Sequence, residues 1–239
     1  MGDFMIIELC AGSARDAMLA EKYGIGRIEL NTGLELGGLT PYLSVVEHIK
    51  SNCNVKIIAM LRLRAGNFLY SHDELDIMLD MAENLLKAGA DGLAFGALTT
   101  DKDVDIYACK SVMEKVKKYN AEFVFHRAFD QLPSIHYIEK LIDFEADRLL
   151  TSGLYPSAWD GKDNIKAMQE QYGSEIEILA GSGINTTNVL KIAEYTGVNQ
   201  LHGSFSESVD ENYNGSVSFG SYLRSSEQKL IELQKILKK

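Results

Sequence analysis

A histidine, an arginine and an aspartate, His126, Arg127 and Asp130, fall within five positions directly after an apolar, strand-like run. An imidazole can act as a base, an acid or a metal ligand, and a guanidinium can bind an anion. Asp130 is expected either to orient the imidazole or to pair with an arginine. Charged groups at the carboxyl end of a strand are typical of (β/α) barrel enzymes, although a lone histidine there is as often a hydrogen-bonding group of the scaffold.

Two further carboxylates, Glu8 and Glu29, lie inside apolar runs that resemble buried strands. Burying an unpaired carboxylate is unfavourable. Each is therefore either a proton-transfer group with a raised pKa or the partner of an arginine. Arg62 and Arg64 flank one leucine after another predicted strand, a spacing that suits bidentate contacts to a carboxylate or phosphate. The alternative, pairing of these arginines with Glu8 and Glu29, stays open.

Glycine-rich segments follow the last two predicted strands. Glycine lets an anion approach backbone N–H groups, and barrels often bind phosphate at this place. The same segments are also compatible with simple tight turns. The residues predicted to bind anion oxygens here are Gly181, Ser182, Gly183, His202 and Ser204.

The sequence offers few ligands for a soft metal. It contains no CxxC, HExxH or paired Cys/His spacing. Cys10, near the end of the first predicted strand, is the one thiol expected at the barrel mouth. Cys53 and Cys109 lie near helices and are expected to pack as small apolar groups.

The elements that must position these groups alternate between strands and helices along the chain. Continuous apolar strands separated by helices indicate a parallel sheet covered by helices. Eight strands within 239 residues favour a closed (β/α)8 barrel, a TIM-type fold. The strands are predicted at 5–9, 27–30, 55–60, 92–95, 121–125, 148–150, 176–180 and 200–202.

We expect one domain over residues 1–239, with a core at about 5–206 and a C-terminal extension at 207–239. In that extension, 210–220 is predicted to be a surface loop and 221–238 a final helix. Among the other helices, Ser13 is predicted to cap the first, and Ser71 with Glu74 forms a capping-box pattern.

Composition and sequence pattern limit which binding partners and which cellular compartment are expected. A formal net charge of −10 argues against nucleic acid or an anionic membrane as partner. No apolar run approaches the roughly 20 residues of a membrane span, and the start of the chain has no signal-peptide pattern. The three cysteines lie far apart in the sequence and are odd in number, which indicates reduced thiols in the cytosol.

Several segments match the motifs of one family in the expected order. They are Arg27-Ile28-Glu29-Leu30, Gly37-Gly38-Leu39-Thr40-Pro41, Phe125-His126-Arg127-Ala128-Phe129-Asp130, Leu150-Thr151-Ser152-Gly153 and His202-Gly203-Ser204. From about Met5 to Ser206 the chain resembles the CutC proteins, named for copper homeostasis. The resemblance implies a cytoplasmic TIM-type barrel, a link to copper binding, and a homodimer.

The chain departs from the family pattern at two places. Asn31 stands where the family usually has a cysteine, which leaves Cys10 as the only thiol at a matching position. The family's Arg-Pro-Arg and Gly-Asp-Phe segments are replaced by Arg62-Leu63-Arg64 and Gly66-Asn67-Phe68. The second change removes one candidate carboxylate.

Three functions remain open from the sequence. The first is binding or handling of copper(I), which prefers thiolate and thioether ligands. The second is an enzyme doing acid–base chemistry on a small anionic, phosphorylated or carboxylated metabolite; its anion-holding arginines would be Arg62, Arg64 and Arg127. The third is an anion-binding protein without turnover. The candidates for catalysis are Glu8, Glu29, His126 and Asp130.

Overall fold

The computed structural model describes residues 5–210 and 220–238. Its parallel strands close into a barrel in chain order, because the eighth strand pairs with the first. The predicted (β/α)8 fold is therefore confirmed. The strands are β1 (Ile6–Ala11), β2 (Arg27–Leu30), β3 (Lys56–Met60), β4 (Gly92–Phe95), β5 (Glu122–Phe125), β6 (Arg148–Thr151), β7 (Glu177–Gly181) and β8 (Gln200–Gly203).

Helices surround the barrel and bury the outward-facing apolar side chains of the strands, which form the main core. Ser13 accepts a hydrogen bond from the Asp16 N–H at the start of the first helix, and the Ser71–Glu74 capping box is present, both as predicted. The helices are α1 (Ala14–Lys22), α2 (Leu43–Asn52), α3 (His72–Lys87), α4 (Ile106–Lys118), α5 (Ile138–Asp143), α6 (Lys162–Tyr172), α7 (Val189–Thr196) and α8 (Glu227–Leu237). Short 3-10 helices lie at Leu34–Leu36, Arg127–Gln131 and Ile135–Tyr137.

The C-terminal extension differs from the sequence prediction. The helix predicted from residue 221 begins only at Glu227, because Tyr222–Ser225 form a strand, β10, that pairs antiparallel with β9 (Ser206–Val209). Tertiary contacts hold this strand: the Ser225 N–H donates to Asp16, and Arg15 donates to the Ser225 carbonyl. Most of the loop predicted at 210–220 lies outside the described residues.

The barrel interior has a charged lower layer and an apolar middle. At the amino ends of the strands, Arg148 pairs with Glu122 and Glu177, at 3.1 and 2.7 Å. Above this layer a separate apolar cluster occupies the interior, so the polar side chains at the carboxyl ends of the strands surround a closed floor and not a pore. The cluster consists of Ile58, Met60, Ala94, Val124, Leu150 and Leu179.

Candidate functional site

A cavity of about 750 Å³ opens at the carboxyl ends of the barrel strands. This is the end at which (β/α)8 enzymes carry their active sites. Most of the residues predicted from sequence line it, whereas Glu8, Arg64 and Gly181 do not. The predicted residues that line the cavity are Cys10, Glu29, Arg62, His126, Arg127, Asp130, Ser182, Gly183, His202 and Ser204.

Three potential metal ligands meet on one wall of the cavity, and we call them the Cys–Glu–His group: Cys10, Glu29 and His202. The Cys10 Sγ lies 3.8 Å from Glu29 Oε2, and His202 Nε2 lies 3.8 Å from the same oxygen. One ligand atom from each residue lies within 4.8 Å of the other two. The group forms because β8, β1 and β2 are neighbours, with Cys10 in register with Glu29.

Glu8 fixes the orientation of the His202 ring from below the cavity. Its Oε1 lies 2.9 Å from His202 Nδ1, and its Oε2 lies 2.7 Å from Arg27 Nε. Burial alone raises the pKa of Glu8, but the hydrogen bond from His202 and the charge of Arg27 outweigh burial and lower it to about 2. As a carboxylate, Glu8 accepts a hydrogen from Nδ1, which leaves Nε2 facing Glu29.

All three side chains of the Cys–Glu–His group have raised pKa values. Burial raises the pKa of the Glu29 carboxyl and of the Cys10 thiol. Burial lowers the pKa of His202, but the charge of Glu29 and the hydrogen bonds to Cys10 and Glu8 raise it well above its ordinary value. A cation entering the group would compete with protons for all three ligands, so its binding should weaken as the pH falls.

Asn31, regarded from sequence only as a missing cysteine, is part of this site. Its Nδ2 donates to Glu29 Oε2 at 2.9 Å and contacts Cys10 Sγ at 3.7 Å. The side chain fits because Gly38 has no Cβ: a Cβ there would lie 2.3 Å from Asn31 Oδ1, and φ of Gly38 is +83°. The Gly37-Gly38 segment thus leaves room for the amide.

Neither arginine of the Arg62/Arg64 pair contacts Glu8 or Glu29. Arg62 is buried, and its two Nη atoms donate to the carbonyls of Leu36, Gly37, Gly38 and Gly66. Arg64 instead pairs with Glu74 outside the cavity. The arginine that does pair with Glu8 is Arg27, at the first position of β2. Alternate residues of a strand face the same side, so the position of Arg27 two residues before Glu29 is the sequence signal that could have identified it.

Asp130 pairs with an arginine, one of its two predicted roles. Arg127 Nε donates to Asp130 at 2.9 Å, and the backbone N–H groups of Ser152 and Leu154 donate to the same carboxylate. Asp130 therefore ties the Arg127–Gln131 turn to the loop after β6. It makes no hydrogen bond with His126.

His126 is a buried residue with one engaged nitrogen. Its Nδ1 accepts a hydrogen bond from the Ala128 N–H at 3.2 Å, while Nε2 is buried and has no partner among the described residues. Burial, together with the positive charge of Arg62, lowers the pKa of His126 to about 3. The ring is therefore a neutral imidazole at physiological pH.

The loops after β7 and β8 supply another part of the cavity rim. Ser182 has a left-handed backbone, with φ +79°, and its Oγ donates to the Pro156 carbonyl. Ser204 Oγ lies 3.0 Å from Ser206 Oγ. At Gly181 an added Cβ would lie 2.6 Å from Leu150 Cδ1, so a larger residue here would make the end of the Leu150 side chain shift.

The fold and the site define a (β/α)8 barrel with a Cys–Glu–His group in its mouth. The CutC family model matches residues 5–207, and the chain belongs to the CutC family.

Relatives in bacteria and mammals support the assignment. A CutC family protein of Treponema denticola is 43% identical over 82% of this chain and 79% of its own length. The copper homeostasis protein cutC homolog of Homo sapiens is 36% identical over 94% of this chain and 83% of its own length. The crystal structure of a CutC protein from Streptococcus agalactiae matches with a TM-score of 0.79 and 30% identity, over 84% of this chain and 98% of that one.

A deoxyribose phosphate aldolase from Aeropyrum pernix, with 15% identity and a TM-score of 0.62, shares the fold alone. Within 5–210 and 220–238, no helix combines the length and apolar character needed to span a membrane.

Proposed function

We propose that this protein binds a copper ion through Cys10, Glu29 and His202. The observation that carries the proposal is the convergence of a sulfur, a carboxylate oxygen and a ring nitrogen within 4.8 Å of one another. Metal–ligand bonds of about 2.0 to 2.3 Å place neighbouring ligand atoms roughly 3.3 to 3.8 Å apart in a tetrahedral site. The distances from Glu29 Oε2 to Cys10 Sγ and to His202 Nε2, both 3.8 Å, lie at the upper end of that range, so small side-chain shifts would close the site around an ion.

The donor set suits copper in two respects. The Cys10 sulfur is a soft ligand of the kind that selects Cu(I), and the His202 imidazole binds copper readily. A single thiol gives less preference for Cu(I) than a pair of cysteines would. The names of the mouse and human relatives, copper homeostasis protein cutC homolog, point to the same ion.

The Glu8–His202 contact supports a metal site in particular. A histidine ligand commonly donates its other ring N–H to a carboxylate, which fixes the tautomer and the ring orientation. Glu8 supplies that carboxylate 2.9 Å from Nδ1, so Nε2 is the nitrogen presented to the ion.

The test is a competition for Cu(I) with a chelator of known affinity, under anaerobic conditions. Wild type is expected to bind one equivalent, and Cys10→Ser to bind more than about a hundredfold more weakly, because losing even an outer partner of a ligand lowers affinity 10- to 100-fold. Cys53→Ser is the matched control, since Cys53 is a buried thiol outside the cavity. Equal affinities of Cys10→Ser and Cys53→Ser would refute the proposal.

A second candidate is an enzyme acting on a small anionic metabolite. The observation that favours it is the cavity volume of about 750 Å³, which is within the range of small-molecule sites and far exceeds what one ion requires. Glu8, Glu29, His126 and Asp130 remain its predicted catalytic groups. Turnover in a substrate screen that persists in both Glu8→Gln and His126→Asn would remove this assignment.

The cytoplasmic location and the homodimer are also part of the proposal. The resemblance to the CutC family supports both. Light scattering of the full chain tests the homodimer directly: a monomer mass at every concentration would exclude it.

A further inference from the structure

We propose that the cavity has a second binding site, formed by Arg62 and His126, for the carboxylate or phosphate end of a small organic molecule. This inference does not depend on copper. The Arg62–His126 site lies on side chains that follow β3 and β5, whereas the Cys–Glu–His group lies on β1, β2 and β8.

The hydrogen bond to His126 Nδ1 decides what the ring can offer a ligand. Nδ1 accepts the Ala128 N–H, so it carries no hydrogen. A neutral imidazole with a bare Nδ1 has its hydrogen on Nε2, which makes Nε2 a donor. His126 lines the cavity, is only 3% exposed, and its Nε2 has no acceptor within the described part of the chain.

Arg62 adds a fixed positive charge and a second buried donor. No carboxylate of residues 5–210 and 220–238 forms an ion pair with it; the acceptors of its Nη atoms are backbone carbonyls. Its Nε is buried without an acceptor. The four carbonyl contacts hold the guanidinium in one position, so little side-chain freedom would be lost when a ligand binds.

Arg62 and His126 contact the same aromatic ring, and the charge of Arg62 is near enough to lower the pKa of His126. The Arg62 Cζ lies 4.9 Å from the centre of the Phe68 ring, and the His126 ring centre lies 4.9 Å from the same ring. All three side chains line the cavity. Buried donors without acceptors are rare in proteins and call for a partner.

These observations define the chemistry of the ligand. Both groups are donors, so the ligand must present acceptor oxygens, and the unpaired charge of Arg62 favours oxygens that carry negative charge. Apolar side chains form much of the remaining wall, including Met60, Leu150 and Ile184. A carbon body attached to the anion would lie against them, so an organic anion fits better than an inorganic one.

The experiment is an NMR titration of the full chain labelled with ¹⁵N-histidine, at constant ionic strength. The probes are orthophosphate, oxalate and 2-phosphoglycolate, with glycerol as a neutral comparison. We expect the His126 ring to carry its hydrogen on Nε2 and its signals to shift to saturation with the anions but not with glycerol. The 2-phosphoglycolate is expected to bind more tightly than orthophosphate.

A pair of variants isolates the Nε2 donor. An asparagine at position 126 keeps an oxygen that can accept the Ala128 N–H but has no atom at the Nε2 position. His126→Asn is therefore expected to weaken 2-phosphoglycolate binding at least about tenfold. His48→Asn, on the exposed face of α2, is the control and should bind as wild type does.

Three results would each overturn the inference: a hydrogen on His126 Nδ1, no response of His126 to any of the three anions, or equal anion binding by folded His126→Asn and wild type. If His126→Asn does not fold, the tautomer and the titration of the wild-type protein still decide the question.

Discussion

Replacing Glu8 by glutamine tests the buried ion pair beneath the cavity. The Glu8 side chain is 1% exposed and the Arg27 side chain 8% exposed, with 2.7 Å between the paired atoms. Glutamine keeps the shape but removes the charge, which leaves the Arg27 guanidinium buried without a carboxylate. Breaking a buried pair in this way costs about 3 to 5 kcal/mol of unfolding free energy.

The lowered pKa of Glu8 gives a second value, of similar size, for what this ion pair contributes to the free energy of unfolding. Its pKa falls from 4.5 in the unfolded chain to about 2 in the folded protein, a difference equivalent to roughly 3 kcal/mol. The folded state binds the proton less readily, so this contribution is complete above pH 4.5 and is lost as the pH falls toward about 2. Glu8→Gln should therefore also flatten the fall of stability below pH 4.5.

The assay is urea unfolding at neutral pH, with Glu227→Gln as the matched control. Glu227 pairs with Lys22 at 2.6 Å, almost the distance of the Glu8 pair, but these side chains are 44% and 61% exposed. We expect the exposed substitution to change stability by less than about 1 kcal/mol. If the two substitutions have equal effects, burial is not what makes the Glu8–Arg27 pair important for stability.

Two other perturbations follow from the site. His126 has a pKa of about 3 in the folded protein against 6.5 in the unfolded chain, so this group should lower stability by up to about 1.4 kcal/mol for each pH unit below 6.5. Urea unfolding at successive pH values should show that the free energy of unfolding depends less on pH in His126→Asn than in wild type. An unchanged pH dependence would contradict the neutral, buried ring. Gly38→Ala and Gly24→Ala both place alanine at a positive φ, but only the first meets a side chain, Asn31 Oδ1 at 2.3 Å. Gly38→Ala should therefore destabilise the fold by about 1 to 3 kcal/mol more than Gly24→Ala and weaken Cu(I) binding in the chelator competition, whereas equal effects would mean that the Asn31 contact is unimportant.

The barrel could be predicted from sequence because its signals are local. Each strand is a short apolar run bounded by turn residues, and the caps at Ser13 and Ser71 mark two helix starts clearly. The strand β10 was missed for the opposite reason. Its four residues lead into the leucine pattern of α8, and only the distant contacts of Ser225 with Asp16 and Arg15 hold them extended.

The site could be predicted only in part. The sequence indicated which side chains gather at the mouth, since strand ends share one rim in this architecture. It did not indicate their partners, which depend on how the strands are staggered when the barrel closes. That stagger brings His202 on β8 beside Glu8 on β1 and Arg27 beside Gln200, pairs separated by more than 170 residues. From the sequence, Asn31 indicates only a lost ligand, whereas in the structure its amide contacts both Glu29 and Cys10.

The most direct test of copper binding by Cys10, Glu29 and His202 is X-ray absorption at the copper edge of the wild-type protein loaded with one equivalent of Cu(I). We expect one sulfur neighbour together with nitrogen and oxygen neighbours, including the outer-shell signature of one imidazole, and loss of the sulfur signal in Cys10→Ser. A first shell with two or more sulfur atoms, or with none, would contradict it.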